Sequence, residues 1–405
     1  MTVQPALAVI HGHAPMFGPL RPQPADALLA LIGMHRADPR PDKIDLGVGV
    51  YRDALGATPV LRAVKAAEAA LVRDQPTKAY IGPEGDARFT ELLAPIVFGP
   101  AMAVSERLTG VQTPGGTGAL RLGADLLHRA GMTGRVWIGT PTWPNHAPIF
   151  EAAGLTVAAH AYYDHDTSTL DFAAMMADLK SAVRGDVVLL HGCCHNPTGT
   201  GFSIAQWRAL ADDFAARGIL PFIDLAYQGL GDGLEEDAAG MRILLEAVPE
   251  ALIAYSCDKN FGLYRERLGA LWALSTNAAA VPPVRGNLLV LARSLWSMPP
   301  DHGAATVRVI LENPGLTELW RTELEEMRVS VGSLRTALAA AEPRLAAIAE
   351  QRGLFAILPI DAAAVAALRA DHGIYMAGSG RINVAGLHLD SIARFAAALA
   401  PYLPA

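Results

Sequence analysis

Residues 251–270 read ALIAYSCDKNFGLYRERLGA, and the rest of the chain organises around them. The apolar run 251–255 has the length of a buried strand, and a second apolar run begins at Gly269. Between the two runs lie Ser256, Asp258, Lys259, Arg265 and Arg267, at the point where the first strand leaves the sheet. A lysine there is costly unless its charge is paired, released to solvent or used covalently. A hydroxyl three residues before it and an arginine eight residues after it suit an anion held beside the amine. Alone, such a lysine is far better read as part of a surface loop, since lysines are mostly exposed. Its company elsewhere in the chain argues for more.

The chain has 405 residues, 51% of them hydrophobic, and a formal net charge of -7. That length accommodates two domains or one large α/β unit with a sizeable core. The acidic balance and the lack of a basic block exclude polyanion binding as the main role, so no nucleic-acid partner is expected. A locally basic site for one small anion stays compatible. Cys193, Cys194 and Cys257 lie beside apolar runs and two of them are adjacent. They predict a reduced chain without disulfides, and none has zinc-site spacing, so no metal is expected. No apolar run approaches the ~18 residues of a membrane span. The N-terminus lacks a basic region before its apolar piece 6–10, so neither a secretion signal nor a membrane is expected and the location is predicted to be cytoplasmic.

Residues 1–15 lack periodicity and read as an arm, and 25–36 as a helix ended by Asp38-Pro39-Arg40-Pro41. Residues 44–51, IDLGVGVY, read as extended, followed by a helix over 61–73. From about residue 105 helices such as 118–130 and 204–217 separate short apolar strands. The strands are expected at 135–139, 156–160, 186–191, 220–224, 251–256 and 269–274. This alternation predicts an α/β fold, a mostly parallel sheet with helices on both faces, and a ligand at the carboxyl ends of its strands. After Asp301 the texture changes to Ala-rich helices, 302–312 and 317–341, then a short α+β tail from 354. A domain boundary is expected near 320, with 44–51 and 373–386 sharing a smaller second domain.

Other strand ends add chemistry. Gly115-Gly116-Thr117-Gly118 precedes a helical stretch, and backbone N–H groups at such a start attract anions. Trp143 and His146 follow one strand, and His191, His195 and Asn196 follow another, Asn196 being kept extended by the proline after it. Asp224 ends the run LPFID, with Tyr227 three residues on. Each has an ordinary explanation, as a turn, a core ring, a satisfied imidazole or a helix cap, and for His195 that explanation is retained. Together they form a set: an amine for a Schiff base, a carboxylate to keep a pyridine nitrogen protonated, an indole to stack, and a Gly-Thr/Ser/Arg cradle for a phosphate. Pyridoxal 5'-phosphate requires those parts. A guanidinium at Arg267 suits its phosphate because it binds bidentately.

From about Met16 onward the chain resembles the aspartate/aromatic (tyrosine) aminotransferases, class I pyridoxal-phosphate enzymes of fold type I. The likeness runs in order through DLGVGVYRD (45–53), KAYIGPEG (78–85), QTPGGTGALR (112–121), PTWPNH (141–146), HGCCHNPTG (191–199), IDLAYQG (223–229), GLEEDA (233–238), KNFGLYRERLGA (259–270), MPPDHGA (298–304) and SGRINVAGL (379–387). It implies that Lys259 is the Schiff-base lysine and Asp224, supported by His146, the partner of the pyridinium nitrogen. Trp143 would stack on the ring, with Asn196 and Tyr227 on its phenolic oxygen and both Trp143 and Asn196 beside the substrate. Gly116, Thr117, Ser256 and Arg267 would hold the phosphate, joined by Tyr80 across a homodimer with shared sites. Tyr80 counts with Lys259 and Asp224 among the catalytic residues. Arg381 would take the substrate α-carboxylate, Arg293 would reach across the dimer to a side-chain carboxylate, and Gly49 and Phe355 would line the substrate side. The implied division is an arm (1–15), a large cofactor-binding domain (58–319) and a smaller α/β domain built from 16–57 and 320–405.

Several positions depart from the family pattern. Asp258 stands where Ser or Thr usually precedes the lysine, Ala79 and Met298 stand where dicarboxylate-preferring members carry Asn, and Trp296 replaces a Tyr. None removes a catalytic group. The expected reaction is transfer of the amino group of aromatic amino acids or aspartate to 2-oxoglutarate, amino-acid and 2-oxo-acid partners alternating in a ping-pong cycle. A β-elimination or decarboxylation on the same fold is the alternative within enzymes. A ligand-sensing regulator is the alternative outside them, and it would need a DNA-binding segment.

Overall fold

A computed structural model describes residues 16–22 and 27–404. The expected arm at 1–15 and the first residues of the helix expected at 25–36 lie outside the described residues.

The frame is a seven-stranded sheet. Its strands, in chain order, are β1 (Leu108–Pro114), β2 (Arg135–Thr140), β3 (Thr156–Ala161), β4 (Val187–His191), β5 (Leu220–Leu225), β6 (Ala251–Ser256) and β7 (Leu268–Leu274). They lie side by side in the order β1-β7-β6-β5-β4-β2-β3, and only β7 runs against its neighbours. Neighbouring strand residues alternate between two cores. Val188, Leu190, Ile223, Ile253 and Trp272 belong to one, while Val187, Leu189, Phe222, Leu252 and Leu271 belong to the other. A strand buried on both faces must read as a continuous apolar run, which is why most of these strands are legible in the sequence. Phe89, Trp207, Phe214 and Leu244 cover one face from helices, and Leu120, Leu127, Phe150 and Leu288 cover the other.

Strand β1 was not expected. Its LTGVQTP carries buried Gln112 and Thr113, so it does not read as an apolar run. Gln112 is satisfied there: Oε1 accepts from the Asp86 N–H at 2.8 Å and Nε2 donates to the Pro300 carbonyl at 2.7 Å. Because β7 is reversed, β1 ends at the same edge of the sheet as β4, β5 and β6, and β7 begins there. The glycines 115–118 do not precede a helix, as expected, but form the first turn of one, Gly115–Arg129.

Local capping explains several boundaries. The helix Ile204–Arg217 opens on a reciprocal pair, Ser203 Oγ accepting from Gln206 N and Gln206 Oε1 from Ser203 N, and closes on Gly218 at φ 66°. The long helix Pro314–Ala341 starts three residues before the expected position, because Asn313 Oδ1 accepts from Gly315 N and Leu316 N and Pro314 fits a first helical turn. No helix among the described residues is long and apolar enough to cross a membrane.

Of the extended stretch expected at 44–51, only Ile44–Asp45 is a strand, pairing parallel with Ile374–Tyr375. The remainder is irregular and is held by Asn383, whose Nδ2 donates to the carbonyls of Val48 (2.6 Å) and Val50 (2.8 Å). Phe355–Ile357 pairs antiparallel with Arg381–Asn383. These two small pairings bring Gly49, Phe355 and Arg381 to the carboxyl edge of the main sheet.

Candidate active site

A cavity of about 250 Å³ lies at that edge, between the strand ends and the irregular segment after Asp45. Its wall includes Gly49, Gly116, Thr117, Trp143, Asn196, Asp224, Tyr227, Ser256, Lys259, Arg267, Phe355 and Arg381, every predicted site residue except Tyr80 and Arg293. Those two stand on the surface of this chain, Tyr80 being 96% exposed.

Lys259 follows β6 and projects over the Tyr227 ring, Nζ 5.3 Å from its centre. It forms no ion pair among the described residues. Burial lowers its pKa, against the opposing pull of Asp258 and Asp224 and in the same sense as Arg267. The amine therefore loses its proton more readily than an ordinary lysine.

Asp224 sits beside His191 in the β4–β5 register and presents Oδ2 to His146 Nε2 at 3.0 Å. The other ring nitrogen, His146 Nδ1, lies 2.8 Å from Thr142 Oγ1. Burial pushes the Asp224 carboxyl up, but the His146 bond and nearby positive charge outweigh it, so the group stays below its ordinary value. His191 is itself pushed down to about 3, chiefly by burial. His195 is buried and bonded to Thr198 Oγ1 at 2.9 Å, the satisfied imidazole expected of it.

At the opposite end is a cup. The helix beginning at Gly115 has no side-chain cap and no acidic residue in its first turn, which leaves its N–H groups open to an anion. Gly115 has φ 70°, and a Cβ on it would fall 2.7 Å from Arg267 Nη2. One on Gly116 would lie 3.2 Å from Ser256 Cβ. Side chains at these two positions would fill the cup.

The mouth carries Arg381, with Nη2 donating to the Gly47 carbonyl at 2.9 Å and the guanidinium 4.7 Å from the Phe355 ring centre. Its buried Nε has no partner, and the side chain forms no ion pair among the described residues. Burial lowers its pKa, partly offset by Tyr227. A guanidinium in that state favours an incoming carboxylate. Asn196 is also buried with an unpartnered amide oxygen. Tyr264 is a wall residue the sequence reading passed over, although it lies inside KNFGLYRERLGA; its hydroxyl accepts from the Tyr51 N–H at 2.9 Å.

These residues fit pyridoxal phosphate. The cup suits a phosphate, Asp224 a protonated ring nitrogen, Trp143 a ring face, and the unpartnered Asn196 amide an oxygen substituent once turned to present its N–H. Lys259 offers an amine for covalent attachment.

Comparison with known proteins agrees with that chemistry. The family described as "Aminotransferase class I and II" matches residues 41–399. A tyrosine aminotransferase of Rhizobium meliloti (strain 1021) is 53% identical over 385 residues, covering 94% of this chain and 98% of the relative. An aspartate aminotransferase of Salmonella typhi is 42% identical over 396 residues, covering 96% and 100%. The solved aromatic-amino-acid aminotransferase from Burkholderia pseudomallei, covalently bound to pyridoxal phosphate, superposes with a TM-score of 0.93 at 36% identity, covering 96% of this chain and 100% of that one.

Proposed function

The chain belongs to the class I and II aminotransferases, and on that premise we propose that it moves the amino group of aromatic amino acids and of aspartate to 2-oxoglutarate in a ping-pong cycle. Pyridoxal phosphate, when bound, supplies a cationic ring that accepts the electron pair left on the substrate α-carbon. Lys259 Nζ would hold the cofactor covalently and, as a free amine, would take the proton from the substrate α-carbon and deliver it to the carbon that receives the amino group. Asp224 holds a proton on the ring nitrogen, its own charge secured by His146. Gly116, Thr117, Ser256 and Arg267 hold the phosphate. Trp143 supports the ring face, and Asn196 and Tyr227 bond its phenolic oxygen.

The observation that carries this reading is Arg381. It is a guanidinium with no carboxylate partner among the described residues and an unpartnered buried Nε, facing the same cavity as Lys259. An amino acid whose carboxylate binds Arg381 brings its amine towards Lys259. Phe355 and Gly49 close the substrate side, where a Cβ on Gly49 would fall 2.5 Å from the Phe355 ring.

Two copies form the working unit in this reading, the exposed Tyr80 and Arg293 each serving the site of the other copy. The large domain spans 58–319, and the smaller one combines 16–57 with 320–405, supported by the pairing of Ile44–Asp45 with Ile374–Tyr375. Three free cysteines support a cytoplasmic location. Absorbance of the holoenzyme tests the reaction. Phenylalanine or aspartate should convert the cofactor to its amine form, and 2-oxoglutarate should convert it back. Release of carbon dioxide or of the side chain, without that reversal, would contradict transamination.

A further inference from the structure

Asp258 immediately precedes Lys259, yet its carboxylate is bonded to Arg267. Asp258 Oδ1 accepts from the Leu268 N–H at 3.3 Å, and its own N–H reaches Ser256 Oγ at 3.2 Å. The acid is almost sealed, its side chain 4% exposed against 45% for Arg267. The guanidinium is held from other sides too: Nη1 donates to the Tyr264 carbonyl at 3.1 Å, and Arg267 has φ 53°. A Cβ on Gly115 would meet both members, Arg267 Nη2 at 2.7 Å and Asp258 Oδ2 at 3.3 Å. The pair therefore lies against the open helix start, within the cup formed with Gly116, Thr117 and Ser256.

We propose that Asp258 sets the affinity for the cofactor phosphate: its carboxylate competes with the phosphate for Arg267 and makes the cofactor exchangeable. The inference rests on the assignment of this cup to the phosphate. A phosphate monoester brings nearly two negative charges to a guanidinium already neutralised by a buried carboxylate. Water cannot screen the repulsion well at so sealed an acid. What then holds the phosphate is the helix start and the hydroxyls of Thr117 and Ser256, with a shared rather than a dedicated arginine. The Asp258 charge also acts on Lys259, raising its pKa against burial, so an effect on the amine must be separated from one on the phosphate.

Pyridoxal phosphate and pyridoxal make that separation, because only the first carries the phosphate. Each is titrated into cofactor-depleted enzyme of the wild type, Asp258→Asn, Asp258→Ser and Arg267→Ala, and fluorescence gives Kd. Asp258→Asn keeps the side-chain shape, and Asp258→Ser removes bulk as well as charge. Both should bind pyridoxal phosphate at least about tenfold more tightly than wild type, with pyridoxal affinity within about twofold. Inorganic phosphate alone should raise Tm more in both variants than in the wild type. Unchanged or weaker pyridoxal phosphate binding in both overturns the proposal, as does a gain shared equally by pyridoxal. Arg267→Ala tells the two possible failures apart. If it keeps the full preference for the phosphorylated form, the cup itself is misassigned and the proposal falls with it. If it loses that preference while the Asp258 variants gain nothing, the cup stands and only the competition is refuted.

Discussion

His146 Nε2 lies 3.0 Å from Asp224 Oδ2, inside a protein where burial alone would push that carboxyl up. The net shift is downward, so the folded state favours the charged form. Its contribution to stability is complete above the ordinary carboxylate range and is lost only as pH falls through the lowered value. Removing His146 leaves burial opposed only by the smaller contributions of His191 and Lys259. His146→Ala should therefore move the acid limb of kcat/KM to higher pH, while Asp224→Ala should lower kcat by roughly 10³-fold at every pH. Profiles of both variants check this, and an acid limb unmoved in His146→Ala would detach the imidazole from the carboxylate's charge.

Arg381 makes a second prediction. Arg381→Ala removes the bidentate partner of the substrate carboxylate, and should lower kcat/KM for every amino donor by on the order of 10²-fold or more. Arg381→Lys should restore only part of it, because an ammonium lacks the planar fork. Steady-state kinetics with phenylalanine and aspartate decide the point, and a loss confined to aspartate would move Arg381 to the side-chain end of the substrate.

Arg293 and Tyr80 bear on the shared site. Arg293→Leu should cut turnover of aspartate far more than that of phenylalanine, since only the first has a distal carboxylate. Wild-type kcat/KM for tyrosine and phenylalanine should at least equal that for aspartate, Ala79 and Met298 having replaced two polar amides. Mixing inactive Lys259→Ala chains with inactive Tyr80→Ala chains should restore activity on subunit exchange, because one hybrid site becomes wholly wild type. No recovery would count against sharing.

Arg335 lies within the helix expected at 317–341 and nothing in the sequence singles it out, yet it is only 2% exposed. It donates to the carbonyls of Phe355 (2.6 Å), Gly353 (2.8 Å) and Arg352 (3.3 Å), and burial pushes its pKa down to about 10. It fixes the segment that carries Phe355 to the cavity. Arg335→Met should destabilise the protein by about 3 kcal/mol, leaving those carbonyls unpaired, and should raise KM. Denaturant unfolding measures the first effect and steady-state kinetics the second.

The contrast between Arg335 and β6 indicates what sequence can carry. ALIAYS is buried at every position, and a strand so placed must be written in apolar residues. The strand ends were legible for the same reason, and with them Asp224 and Lys259. Strand β1 was hidden by Gln112, whose burial is made tolerable by Asp86 and Pro300, residues far from it in sequence. Asp258 was visible as a departure, but its bond to Arg267 depends on how the intervening loop closes, and no spacing rule gives that. Tyr264 was passed over because its neighbours in the motif offered charge and it offered only a ring and a hydroxyl.

Lys259 is the residue on which the account stands or falls. Lys259→Ala holoenzyme, reconstituted with pyridoxal phosphate and mixed with phenylalanine and 2-oxoglutarate, gives the most direct measurement. The cofactor should still bind through the phosphate cup and the ring contacts, and multiple-turnover transamination should fall by at least about a thousandfold. Turnover close to the wild-type rate in that variant would contradict the assignment of Lys259 as the group that moves the proton.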